Sequence, residues 1–216
     1  PMTKGGDFRR WYGNNDYVVD WFDDGAQIRR NADPKTGRIR SHNYNGEYGF
    51  KAGLTWSAIS SGDLSVRYCN AGFLFDSKGA KGFADKGCNI YWILAFLNSK
   101  VSMQFLQFIS PTLDFKVGDI ISLPYLDSKE FECSVIDLSK KSVAISKDDW
   151  DSYETSWDFK RNPLAVSSIP AVFGAEYCGK YVTRLEDHYY AWKNECKERF
   201  ENLQINEEEL NRIFID

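Results

Sequence analysis

Nothing in this chain approaches the roughly 20 consecutive apolar residues that a membrane helix needs. No membrane association is expected from it. The opening "PMTKGGDFRRWYGNN" lacks the basic-then-apolar pattern of a secretion signal. Cysteine is sparse and scattered: Cys69, Cys88, Cys133, Cys178 and Cys196 are odd in number and form no CxxC pair. That argues against a disulfide framework and against a zinc knuckle. With only His42 and His188 besides, imidazole ligands for a metal are few. Reduced thiols in a cytoplasmic protein are the reading these absences share.

The motifs of common chemistries are missing too. There is no phosphate loop GxxxxGK[ST], no GxGxxG opening a helix after a strand, and no GxSxG nucleophile elbow. Neither an FxGxG loop that cradles S-adenosylmethionine nor an [ND]PP[YF] turn that holds a target adenine is present. Asn162-Pro163-Leu164 lacks the second proline and the aromatic, and Phe173-Gly174-Ala175-Glu176-Tyr177 lacks the second glycine. Asp127-Ser128-Lys129 and Glu195-Cys196-Lys197 fit the [DE]xK fragment of nucleases. Three-residue matches mean little in a chain this charged, and Glu195 falls on a helix whose solvated face would hold it anyway. No catalytic constellation emerges, so the chain is expected to do no chemistry by itself.

What is present suits a folded domain. At 216 residues, with 43% hydrophobic and 27% charged residues, the chain is long enough to bury a real core. The aromatic fraction of 16% is high, enough to furnish stacking platforms as well as core. The net charge of −4 hides an asymmetry. Residues 1–116 carry 15 Lys/Arg against 11 Asp/Glu, a balance of +4, whereas residues 117–216 carry 12 against 20, a balance of −8. Exposed charges further apart than about 8 Å are largely screened at physiological salt. A basic surface in the first half can therefore hold phosphate despite an acidic second half.

Along the chain, residues 11–30 read as short strands broken by the turn clusters Gly13-Asn14-Asn15 and Asp23-Asp24-Gly25. A turn at Pro34-Lys35-Thr36-Gly37 leads into an extended ribbon. As a strand, 38–44 would put Arg38, Arg40, His42 and Tyr44 on one face. Strands are expected at 54–59 and 64–69, with Leu64, Val66 and Tyr68 opposite Arg67. The period then changes: "NIYWILAFLNSKVSMQFLQFIS" suits one or two buried helices, with Asn89 as N-cap and Pro111 closing the region. "DFKVGDIISLPYL" reads as a short strand, and 127–145 as a connection with one weak strand. Leu185, Tyr189, Trp192, Cys196, Phe200 and Leu203 recur at helical spacing and predict one apolar stripe. Asn206 and Glu209 predict a fresh helix start.

The strongest functional signal is the basic ribbon. Arg29, Arg30, Lys35, Arg38, Arg40 and Lys51 face only Asp33 and Glu47 within residues 27–51. Lys78, Lys81 and Lys86 lie in "DSKGAKGFADKG", a glycine-rich loop able to approach a backbone. Lysines there would neutralise phosphates, while arginine in a groove pairs bidentately with guanine. His42 and Asn43 add groups of the kind that read base edges. An ordinary solvated β surface would show the same composition.

Longer blocks are more specific. "GLTWSAISSGDLSVRY" with "GFLFD", "ILAFLNSKVSMQFLQFISPTLDFKVGDIISLPY", "ISKDDWDSYETSWDFKRNPL" and "WKNECKERFENLQINEEELNRIFID" resemble consecutive parts of one family. It is that of the large adenine-specific DNA methyltransferases of the PglX type, from bacterial BREX phage-defence systems, and their restriction–modification relatives. The resemblance covers about residues 5–216 in order. It implies a C-terminal fragment following a catalytic domain that binds S-adenosylmethionine, with no cofactor in this chain itself. The "LNSK…ISPTLDFKVGDI…LP" block is also similar to the target-recognition domains of TaqI-type methylases and type I specificity subunits. Such domains contact DNA so that a catalytic domain can flip out its adenine.

Together these readings predict an α+β chain. An irregular mixed-β target-recognition domain with a buried helical pair is expected over 1–126, then a connector and helical spacer or tail over 127–216. Expected partners are double-stranded DNA, the catalytic methyltransferase domain and other subunits of the defence system. The expected DNA-binding residues are Arg29, Arg30, Lys35, Arg38, Arg40, His42, Asn43, Lys51, Arg67, Lys78, Lys81 and Lys86. Within residues 53–68 two jobs stay open. Trp56, Ile59, Leu64, Val66 and Tyr68 could build scaffold, and Ser57, Ser60, Ser61 and Arg67 could contact phosphate. A protein-docking module and an independent nuclease are the rival functions.

Overall fold

The computed structural model describes residues 1–41, 45–60, 62–112, 114–125, 128–165 and 184–215. The fold is α+β, with short strands gathered in the first 82 residues and helices dominating thereafter. Strands β1 (Met2–Thr3) and β4 (Leu74–Phe75) pair in parallel. Strands β2 (Gly53–Trp56), β3 (Val66–Cys69) and β5 (Lys81–Gly82) form an antiparallel sheet ordered β3-β2-β5. Its register sets Thr55 opposite both Arg67 and Lys81, and Trp56 opposite Val66. The period of two therefore sends Leu54, Trp56, Val66 and Tyr68 to one face. Thr55, Arg67 and Lys81 lie on the other.

The apolar face is covered by α2 (Ile90–Leu97), whose Tyr91 ring stacks on Tyr68 at 5.3 Å. As expected, the Asn89 side chain caps this helix, accepting from the Tyr91 amide at 2.9 Å. At its other end Asn98 continues the sheet: its amide accepts from Val66 N at 2.9 Å and donates to Val66 O at 3.0 Å. Trp11 also lies along β3, donating its backbone N–H to Val66 O and accepting from Tyr68 N. The outer edge of β3 is thus covered rather than left open to another chain. Gly53 is required by this packing, because a Cβ there would sit 2.6 Å from Gly82 O and 3.2 Å from Lys81 Cγ.

Helix α3 (Lys100–Ile109) follows, capped by Ser99, and completes the expected helical pair. Several other expectations fail. Residues 117–121 form a short helix, α4 (Val117–Ile121), rather than a strand, because Ile120 turns to the core together with Leu123. Where an open connection with one weak strand was expected, helix α5 runs from Glu132 to Trp150. Its inward face is Val135, Ser139, Ser142, Ser146 and Trp150. Three serines in that stripe leave no apolar signal to read. They let neighbouring backbones approach, and Ser139 Oγ donates to Tyr91 O at 2.7 Å.

Helix α6 runs unbroken from Leu185 to Ile215, about 46 Å at 1.5 Å per residue. No helix starts at Asn206; its side chain donates to Ser142 of α5, and Glu209 pairs with Arg212. The expected stripe is only partly inward. Leu185 and Phe200 are 68% and 69% exposed, while Leu203, Leu210, Ile213 and Phe214 join the core. Phe214 packs edge-on against Trp92 and Phe96 of α2 at 5.5 and 5.7 Å. One core thus includes Trp11, Trp56 and Val66 from the strand region with Val135 of α5 and Leu210 of α6.

The region 11–30 also differs from the expected short strands. It offers only single bridges at Trp11 and Tyr17 before a helical segment, α1 (Phe22–Arg30). The ribbon at 38–44 is not a regular strand where it is described: only Ile39 bridges, to Ala32. Tyr44, like His42 and Asn43, lies outside the described residues. Among the described residues no helix is long and apolar enough to cross a membrane.

Candidate nucleic-acid interface

The basic ribbon is built on a backbone that turns twice. Asp23, Asp24 and Gly25 are left-handed in succession, with φ of 50°, 53° and 73°. Only glycine suits the third position, since a Cβ on Gly25 would lie 2.9 Å from the Trp21 ring. The chain then completes a helical turn through Arg30, and Arg40 N donates to Asn31 O at 2.8 Å. Between them Asp33 organises the expected turn. Its Oδ1 accepts from Lys35 N at 2.9 Å and Thr36 N at 3.0 Å, and Gly37 N donates to Asp33 O. The Lys35 amide, then the Arg40 guanidinium and the Thr36 amide, hold the Asp33 carboxyl below the usual carboxylate range.

This arrangement engages two of the local acids, Asp24 and Asp33. Arg29 pairs with Asp24 at 2.7 Å beside the Trp21 ring, and Arg40 pairs with Asp33 at 3.1 Å. Arg30, Lys35 and Arg38 remain, all exposed and without an ion pair among the described residues. Further along, Lys51 is exposed with its ammonium 4.7 Å from the centre of the Tyr48 ring. Lys78 and Lys86 are exposed as well. His42 and Asn43 fall outside the described residues, as do Ser61 and Asp127.

Two expected contacts are displaced inward. Arg67 is 1% exposed; Nη1 donates to Arg9 O at 3.2 Å and Nη2 to Ser57 Oγ at 3.4 Å. Burial pushes its guanidinium down to about 10. Lys81 is 8% exposed, and its ammonium donates to Lys51 O and Phe73 O. Neither can reach a phosphate on the surface of this fold. Ser57 is buried too, donating to Gly6 O at 2.8 Å. Within residues 53–68 the structure thus places Trp56, Leu64 and Val66 in the core with Arg67 and Ser57 behind them, while Ile59 is exposed.

A second cluster was not anticipated from the sequence. The N-terminal segment is clamped by residues far along the chain. Arg9 pairs with Asp149 at 3.0 Å, while Glu207 accepts from Arg10 at 3.0 Å and from Trp11 Nε1 at 2.7 Å. Lys147 bonds to Asp151 and Asp158 beneath the Tyr12 ring. Burial opposes its charge, yet the two carboxylates hold its pKa above the ordinary lysine value. These cations are compensated, so this cluster joins elements rather than attracting an anion. Glu195, of the [DE]xK fragment, pairs with Arg199 on its own helix. Among the described residues no three His, Cys, Asp or Glu side chains converge as metal ligands would.

No family model matches the chain. Two curated relatives do. One is the adenine-specific methyltransferase PglX of Lacticaseibacillus casei (strain Zhang), 47% identical over all 216 residues of this chain and 17% of its own length. The other is the adenine-specific methyltransferase BrxX of Escherichia coli O9:H4 (strain HS), 32% identical over 98% of this chain and 18% of its own length. From end to end, then, this chain is homologous to one segment of adenine-specific methyltransferases. The chain spans under a fifth of the length of either relative.

Proposed function

We propose that this segment recognises DNA for an adenine-specific DNA methyltransferase of a BREX-type phage-defence system. The catalytic and S-adenosylmethionine-binding parts would be supplied by other regions of a polypeptide as long as its relatives, in the cytoplasm. The observation that carries this reading is the trio Arg30, Lys35 and Arg38, exposed beside acids that are already engaged by Arg29 and Arg40. Uncompensated cations on a projecting turn attract a polyanion, and each phosphate neutralised steepens the dependence on salt. Adenine methylation by the relatives makes a nucleic acid, here DNA, the polyanion of choice.

The test is fluorescence-anisotropy binding of the chain to random duplexes at low and physiological salt. Salt-sensitive binding that weakens in the double variant Lys35→Ala/Arg38→Ala supports the reading. Wild-type affinity that does not respond to salt overturns it. A second reading, docking of a protein subunit, is favoured by the exposed Leu185, Tyr189 and Phe200 of α6. It expects tight association with a defence-system subunit and no salt-sensitive DNA binding.

A further inference from the structure

Beside the free cations lies an open groove of about 620 Å³, lined by Gln27, Ile28, Arg30, Asn31 and Ser41. Gln27 and Arg30 stand at i and i+3 on the last turn of α1, the spacing that brings side chains to one face, and Asn31 follows at its C-terminal end; all three line the groove. Their chemistry differs from that of the turn tip. Lys35 and Arg38 offer charge alone, whereas each amide of Gln27 and Asn31 offers two donors and an acceptor. Arg30 offers a planar fork, Ser41 a hydroxyl, and Ile28 an apolar surface. That is the inventory the major groove demands: amides pair bidentately with adenine, arginine with guanine, and apolar groups meet the thymine methyl.

Two further features separate this groove from an ordinary wet surface. Among the described residues no carboxylate lines it, so a nucleic acid entering it meets no like charge from them. Its neighbours Arg29 and Arg40 are withdrawn into their pairs with Asp24 and Asp33, which leaves Arg30 as the lining guanidinium. Asn31 is also tied in place. Its backbone carbonyl accepts from Arg40 N at 2.8 Å, and its side-chain nitrogen lies 3.5 Å from Ser41 Oγ. The amide oxygen of Asn31 makes no bond to the described residues and is left to accept from a ligand.

We propose that the Gln27, Arg30 and Asn31 face of this groove reads base edges, while Lys35 and Arg38 on the adjoining turn hold phosphates. The proposal rests on the DNA-binding reading above and divides its labour. Contacts to phosphate set affinity and register; contacts to bases set sequence. Substitutions in the two sets should therefore fail in different ways.

The experiment selects duplexes from a random pool with the wild-type chain, then measures affinity for the selected and the random duplexes across salt. It repeats this with Gln27→Ala/Asn31→Ala and with Lys35→Ala/Arg38→Ala. Melting curves confirm that the variants, all altered at exposed positions, remain folded. The first variant is expected to keep wild-type affinity for random DNA and to lose about 5- to 100-fold of its preference for the selected sequence. The second is expected to bind both pools more weakly by the same factor, with a salt slope shallower by about two. Full preference in Gln27→Ala/Asn31→Ala, with DNA binding intact, overturns the base-reading assignment and leaves the DNA reading standing. A wild-type chain that binds no duplex at low salt overturns both.

Discussion

Replacing Arg67 by alanine is expected to destabilise the chain by about 2–4 kcal/mol, because it empties a buried volume and takes away the donor to the Arg9 carbonyl and to the Ser57 oxygen. Urea denaturation measures the loss, and an unchanged midpoint would return Arg67 to the surface. The strand carrying Arg67 explains why its position was misleading. Apolar and polar residues alternate there, which suggests one dry face and one wet face. Both faces of β3 are covered, one by α2 and the other by the N-terminal segment, so the alternation separates two interiors. The turn at 33–37 was legible because its bonds are local: aspartate accepts from the amides that follow it. That turn carries a pH prediction. The Asp33 pKa is depressed on folding, so its contribution is present above the unfolded carboxylate pKa and is lost as pH falls through the folded one. The Lys35 and Thr36 amide resonances should shift together at acid pH, and the Asp33→Ala variant should show no such step by NMR.

Elements follow the same logic at longer range. The α2–α3 pair was readable because its apolar residues, its Asn89 cap and the following Pro111 agree with one another. Helix α5 was not, because its inward stripe is written in serine. Ser139 and Ser142 are fully buried where α5 meets its neighbours, and Ser142 both donates to Leu138 O and accepts from Asn206. Small side chains there are a packing requirement. Ser142→Leu should therefore overpack the contact and cost about 1–3 kcal/mol, whereas Ser134→Leu on the exposed face should change the urea midpoint little. Equal effects from the two would mean that α5 does not seat through its serines. The α4 strand reading failed for a related reason. A run as short as "VGDII" fits either period, and only its packing decides.

For the whole molecule, the decisive link joins residues 196 positions apart. Trp11 lies along β3 and its indole reaches Glu207 of α6, which also holds Arg10. No local pattern announces such a pair, since a glutamate in an acidic helix and an arginine in a basic segment both look solvated. The clamp joins the +4 half of the chain to the −8 half, and the candidate DNA surface lies on the first of these. Glu207→Ala removes the acceptor of two donors at once, one of them a buried indole, and should cost about 2–3 kcal/mol. Glu207→Gln keeps an oxygen for Trp11 and loses the ion pair with Arg10, so it should cost less than half as much. Hydrogen exchange separates a joint from a decoration. If the clamp joins the halves, the alanine variant speeds exchange both in residues 9–15 and in the last turns of α6. Acceleration in the N-terminal segment alone would mean that α6 is held by Leu210 and Phe214 without it. Because none of these residues lines the Gln27–Asn31 groove, DNA affinity of the folded Glu207→Gln variant should match wild type at every salt concentration. A matching loss of affinity would instead move the DNA surface onto the clamp.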